Sequence, residues 1–364
     1  MKKTIITLAS CAVMGLASCS LDINDNPNAI SSASNDNILP TAEMNLATTV
    51  AVGFNMYGGY NAEIYAQNAG CTNYLKYSQF EVTATNTQGS YSQLYSRVLQ
   101  QLEVVRRQSE NEPGTFLAAT ALRAYTYQLL VDAYGETPYS EALTDNTQPK
   151  YDDGKDVYAG IIAELEEAKA AATASSSVCA NLTFGKTTAT TGNAAEWIKF
   201  ANSILLKLYM RESGVVDTKA KSMYEAAVAA SFATAGVADV SAAVTSEAYP
   251  YDSNNPMKNI GIQKWIHYAT TMQGFEAWCE LRRIGYPAFS GQTAEEIIAS
   301  DLKNFSAVPS TYIPGTIHTP KNVYAPVGAG QLRQRFDYAS SSTQYNNNVP
   351  ATKNPTVPVF WNNK

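Results

Sequence analysis

Histidine and cysteine are nearly missing from this 364-residue chain, which has two of the first and five of the second. His267 and His318 lie far apart, so no cluster has the ligand spacing of a zinc site, and neither a metal nor another cofactor is expected. Beyond position 19 the only thiols are Cys71, Cys179 and Cys279, and three thiols close at most one disulfide within a chain. That excludes a disulfide-built scaffold. Charge is also sparse, at 16% of residues against roughly 25% in an ordinary soluble domain. The formal net charge is −6, and no basic cluster is interleaved with aromatics, so nucleic acid is not an expected partner. No apolar run reaches the roughly 20 residues that span a bilayer as a helix.

The N-terminus instead has the make-up of a cleaved export signal. Lys2 and Lys3 precede an apolar run from Thr4 to Gly15, too short to span and of the right length for a signal core. Leu16-Ala17-Ser18-Cys19 closes it with small residues before a cysteine, the pattern at which bacterial lipoproteins are cleaved and acylated. On this reading residues 1–18 are a signal peptide and Cys19 is the lipidation site, with acyl chains such as palmitate giving stable anchoring where a single chain is marginal. The alternative is an ordinary secretory signal cut after Ala17 or Ser18, with Cys19 an incidental thiol. The Asp-, Asn- and Ser-rich stretch that follows makes residues 19–37 a flexible tether, and 38–364 the folded domain.

Helical spacing dominates that domain. Leu46, Val50, Phe54 and Tyr57 recur at steps of four, four and three, while Gly53, Gly58 and Gly59 would weaken the helix unless neighbours approach closely there. Tyr91, Leu94, Tyr95, Val98, Leu99, Leu102 and Val105 form a second stripe. A third helix covers Phe116 to Tyr134 and stops at Gly135 with Pro138 beyond it. Asp156 is placed to cap a helix that buries Val157, Ile161, Ile162 and Leu165. Trp197, Phe200, Ala201, Ile204, Leu205 and Leu208 form a further stripe, followed by an Ala-rich helix over 218–230. One long helix is expected over 261–284, burying Trp265, Ala269, Met272 and Trp278. From Phe289 onward the pattern dissolves into Pro, Gly, Asn and Ser, with one short helix over 294–304. Short loops between successive helices predict an all-α fold, a tetratricopeptide-like stack of helix pairs without a fixed period, carrying a loop-rich face for a ligand.

Motifs for chemistry are few. Phe184-Gly185-Lys186-Thr187 looks like the end of a phosphate loop, but the glycine needed five residues earlier is Ala180. No G-x-S-x-G elbow occurs. Glu276 and Glu280 are an i, i+4 carboxylate pair, the raw material of a glycoside hydrolase; with Arg282 and Arg283 close behind, an exposed, ion-paired helix face is the expected reading. Asn181 and Asn304 open N-x-S/T sequences and read as polar loop residues. The aromatic stretch after the first helix is more informative: Tyr60 and Tyr65 read as helix packing, while Asn73, Tyr74, Tyr77 and Phe80 lie on a loop. Rings stack on the C–H faces of sugars and side-chain amides bond their hydroxyls, so these four are the candidate ligand-binding residues. Packing beneath the loop is the competing reading.

Five segments in order resemble the SusD/RagB family of outer-membrane nutrient-binding lipoproteins of Bacteroidetes: the lipobox with DINDNPN, ATALRAYTYQLLVDAYGETPYSEAL at 119–143, AEWIKFANSILLKLYMR at 195–211, GFEAWCELRRIGYP at 274–287, and VPVFW at 357–361. The resemblance implies four tetratricopeptide-like helix pairs. It also implies a cell-surface lipoprotein, not an enzyme, that binds an oligosaccharide or peptide and acts as a lid delivering it to a SusC-like TonB-dependent outer-membrane transporter. A lipid anchor would hold it to the membrane, facing the cell exterior. Departures are Lys207, where the family often has Arg, and QRFDYASSSTQYNN, which lacks the Pro and Glu of the family's RFPYP-E stretch. A lipid-anchored glycoside hydrolase using Glu276, and a structural adaptor binding only proteins, are the alternatives.

Overall fold

Asn35 opens the first helix, three residues inside the stretch read as tether, because Leu39, Ala42 and Leu46 already point into the core. The computed structural model describes residues 33–67, 72–185, 192–212, 254, 256–293, 316–320, 322–351 and 353–362. The signal segment, Cys19, Cys71 and the helices expected over 218–230 and 294–304 lie outside the described residues. Asn35–Lys364 forms one compact unit. No described helix is long and apolar enough to cross a membrane.

Helix α1 (Asn35–Thr49) passes through a π-helical turn, Val50–Phe54, into α2 (Asn55–Asn61). After the short α3 (Leu75–Ser78), helix α4 (Ala84–Gln93) continues through a second π-helical stretch, Leu94–Leu99, into α5 (Gln100–Gln108), which packs on α1. Then come α6 (Pro113–Tyr134), α7 (Gly154–Ala171), α8 (Ala195–Glu212), α9 (Pro256–Thr270), α10 (Gly274–Ile284) and α11 (Ser340–Tyr345). Strands are minor: Ser177–Val178 pairs antiparallel with Gly192–Asn193, and Ala288–Thr293 pairs parallel with Thr316–Thr319, within the region expected to be loops. Helix α6 is the central post, packed against α5, α7 and α8 and buried on nearly every side. It starts three residues earlier than its apolar pattern suggests, because Pro113 occupies the first turn, where no amide donor is needed. It ends at Gly135, whose φ of 85° suits glycine; a Cβ there would also sit 2.3 Å from Arg335 Nη2. The cap of α7 is Asp153, whose side chain accepts from the Lys155 amide, and not Asp156.

The expected 261–284 helix is two. The chain breaks at Met272, at φ 60°, which leaves Met272 62% exposed rather than buried and lets α9 and α10 pack on each other. Trp278 and Trp197 are buried in the core, and Trp265 is half-buried with its indole N–H donating to Ala62 O at 2.8 Å. Helix α10 returns onto α2 through glycines. A Cβ on Gly58 would lie 2.5 Å from Phe275 Cα, and one on Gly274 would lie 2.1 Å from Asn55 O, so the two backbones touch.

The segment after residue 322 lies on this stack and is pinned by charge. Asp132 on α6 accepts from Arg211 on α8, from Tyr158 on α7 (2.6 Å) and from the indole of Trp361 (2.7 Å). Arg211 also bonds Glu276 on α10 (2.9 Å), which in turn takes Lys207 at 2.5 Å. Arg282 lies 3.7 Å over the Trp278 ring and donates to the carbonyls of Asp132 and Gln334. The face of Glu276 and Glu280 is therefore ion-paired as expected but not exposed: the two glutamates are 8% and 7% exposed. Burial works to raise the Glu276 pKa, but Lys207 and Arg211 hold it below the usual carboxylate range. The described cysteines, Cys179 and Cys279, are free.

Glu136 ties the same segment to the end of α6. Burial opposes its ionisation, yet bonds from Lys353, Tyr338 and Arg335 hold its pKa down at about 2. A depressed pKa contributes stability that is present above about pH 4.5 and lost as the pH falls toward 2. Urea unfolding between pH 5 and 2 is expected to show a loss on the order of 2–3 kcal/mol that Glu136→Gln removes. An identical pH slope in that variant would rule this role out.

Candidate ligand-binding face

Thr83 and Asn86 form a capping box at the start of α4, which fixes where the preceding loop ends. Asn86 Nδ2 also donates to Tyr77 Oη at 3.2 Å, so the cap of one element orients a ring on the other. Tyr77 stacks on Tyr74, with centroids 5.8 Å apart and planes at 30°, and meets Tyr57 edge-on at 5.1 Å. Tyr60 lies 6.3 Å from Tyr74 and 6.2 Å from Tyr77, and Tyr65 closes the cluster edge-on against Tyr60. The stretch divides into packed and exposed rings. Tyr60 packs from α2 as expected, and Tyr65, just beyond the helix, packs half-buried with its hydroxyl donating to Met272 O. Tyr74 is 46% exposed, Asn73 is exposed beside it, and Tyr77 is half-buried behind it.

Phe80 is not the exposed ring that its place in the stretch predicts. Its φ of 64° turns the chain so that the ring is fully buried and has no face for a ligand. What Phe80 offers is its carbonyl, which accepts from Arg333 Nη1 at 3.0 Å, while the carbonyl of Gln79 accepts from the Tyr324 amide at 2.7 Å. Arg333 is itself fully buried, bonded through Nε to Arg335 O and ion-paired with Asp337, and its own carbonyl takes the Trp278 indole at 2.7 Å. The late segment thus buttresses the tyrosine loop from beneath. Sequence reasoning missed Arg333 and Tyr324, since nothing in a Gly-, Asn- and Ser-rich tail marks one arginine as buried.

The cluster's charged contribution is slight. Lys76 and Glu81 pair at 2.8 Å, and the other described residues of the cluster contribute rings, hydroxyls and amides. Burial pushes the Tyr57 hydroxyl well above the usual tyrosine range, so it stays neutral and donates to Asn86 O at 2.8 Å. Among the described residues no group of histidine, cysteine, aspartate or glutamate is arranged to hold a metal ion. The arrangement offers a neutral aromatic surface with amides at its edge, suited to stacking on an apolar ring face while hydroxyls are bonded.

A rigid helix-repeat stack with an exposed aromatic loop propped by its own tail belongs to the class of tetratricopeptide-like scaffolds. A family of SusD-like proteins, described as starch-binding and associating with the outer membrane, matches residues 27–222 and 212–304, and the chain belongs to it. Among solved structures, a chitin-binding protein superposes with a TM-score of 0.63 at 16% identity, over 89% of this chain and 100% of its own. A SusD homolog from Bacteroides uniformis gives 0.59 at 16% identity, over 90% and 100%. A chitin-binding SusD homolog from Flavobacterium johnsoniae gives 0.52 at 14% identity, over 88% and 98%. At such identities the likeness establishes the all-α SusD fold. None of the curated protein sequences matches this chain.

Proposed function

We propose that this protein captures a glycan at the cell surface, on Tyr74 and Tyr77 with Asn73 at the edge, and passes it to a SusC-like TonB-dependent transporter over which it closes as a lid. The observation that carries the reading is Tyr74, 46% exposed and backed by the Tyr77 ring on a loop fixed from below by Arg333. The family's description as starch-binding and the chitin-binding relatives favour a glycan over a peptide. The protein acts by binding and not by catalysis. Glu276, the carboxylate a hydrolase would need, is committed to Lys207 and Arg211 inside the core, which weighs against that alternative.

Cys19, acylated after removal of residues 1–18, anchors the chain to the outer membrane facing outward. The tether keeps the effective concentration of the lid high over its transporter even where their intrinsic affinity is low. Cys19→Ala is expected to yield a folded protein that binds starch- or chitin-derived oligosaccharides in calorimetry as the native chain does, while uptake by the cells is abolished. Undiminished uptake in that variant would contradict the lid. Absence of binding to either glycan series would contradict the capture step.

A further inference from the structure

A cleft of about 450 Å³ lies between the Tyr91–Gln100 stretch of the α4–α5 helix, the loop over 138–151, and α11 with Asn346. None of Tyr57, Tyr60, Tyr74 or Tyr77 lines it. Its size falls within the roughly 300–1,000 Å³ of small-molecule sites. Every described residue that lines it is uncharged, in contrast to the neighbouring smaller cleft around Arg106, Arg123 and Glu103. An ionised ligand would lose its hydration here and find no counter-charge. The exposed wall is mostly apolar, with Ser, Thr, Asn and Gln interspersed, which favours a ligand that has both apolar faces and hydroxyls. What remains is a neutral molecule with apolar faces and many hydroxyls.

The walls are held before any ligand arrives. Tyr95 Oη bonds Thr137 Oγ1 at 2.7 Å and the Pro138 carbonyl at 2.8 Å. Tyr91 and Tyr151 share a hydrogen bond of 3.2 Å, and Asn346 Nδ2 donates to Pro149 O at 2.8 Å, clasping α11 to the loop opposite. These hydroxyls are committed to the protein, which fixes the shape of the cleft; such preorganisation lowers the cost of binding. At the rim Tyr345 stands 71% exposed, a large ring held out beside the opening.

We propose that this cleft is a second carbohydrate site, taking a neutral oligosaccharide over about two sugar rings, with Tyr345 stacking on the unit at the mouth. The test uses the full mature chain carrying Tyr74→Ala and Tyr77→Ala, titrated by calorimetry with maltotetraose, chitotetraose, cellotetraose and the acidic tetragalacturonate. At least one neutral tetrasaccharide is expected to bind this chain with a stoichiometry of one. Adding Tyr345→Ala should weaken that binding about tenfold, and adding Ser92→Arg should abolish it with an unchanged melting temperature. No neutral binding in the Tyr74/Tyr77 background, binding confined to the acidic sugar, or neutral binding that survives both added substitutions would overturn the proposal. Failure at the tyrosine loop is seen separately, as native affinity and stoichiometry left unaltered by Tyr74→Ala and Tyr77→Ala.

Discussion

Arg211→Ala is expected to lower the unfolding free energy by about 3–5 kcal/mol, the range seen when one partner of a buried ion pair is removed. Arg211 is 1% exposed and reaches two carboxylates, Asp132 on α6 and Glu276 on α10. Without it Glu276 keeps Lys207, but the Asp132 carboxylate, at 0% exposure, keeps only neutral hydrogen-bond donors among the described residues, Tyr158 and the Trp361 indole included. For a chain of this size the corresponding drop in melting temperature is ~4–7 °C. Pairing the change with the removal of its partner, as Arg211→Met with Asp132→Asn, should recover much of the loss, because the penalty lies in the stranded charge. A double variant as unstable as the sum of its parts would show that the network acts by packing alone. These contacts link WIKFANSILLKLYMR, GFEAWCELRR and VPVFW, each of which contributes a member to one buried brace.

Gly58→Ala should be nearly as damaging, at about 2–3 kcal/mol after the roughly 1 kcal/mol that alanine gains in a helix. The added methyl would meet backbone atoms of α10, Phe275 Cα at 2.5 Å and Gly274 O at 2.7 Å, so relief requires the helices to separate. Gly89 is the internal control. It too is helical, but nothing lies within 4 Å of the position a Cβ would take. Gly89→Ala is therefore expected to stabilise by about 0.5–1 kcal/mol. Opposite signs in chemical denaturation would confirm that close approach, and not propensity, retains Gly58; equal signs would contradict it.

Much of the scaffold was legible because its signals are local. The Leu46, Phe54, Tyr57 stripe, the stop at Gly135 and the glycines awaiting a close neighbour each state a requirement that the fold meets. Requirements set across long separations were not legible. Glu276 looks solvated beside Arg283, and only the approach of Lys207 and Arg211 from α8 buries it. Met272 reads as a helical core residue until its backbone turns left-handed. At the candidate site, composition marked an aromatic stretch, but not that Phe80 is buried at a φ of 64° while Tyr74 stays exposed, nor that Arg333 holds the stretch from 253 residues away.

Tyr74 and Tyr77 are the proposed glycan-contacting surface. Calorimetric titration of the native mature chain and its Tyr74→Ala, Tyr77→Ala variant with starch- and chitin-derived oligosaccharides tests it most directly. Loss of one binding site in the variant, at an unchanged circular dichroism spectrum, is the predicted result; the same stoichiometry and affinity in both proteins would contradict it.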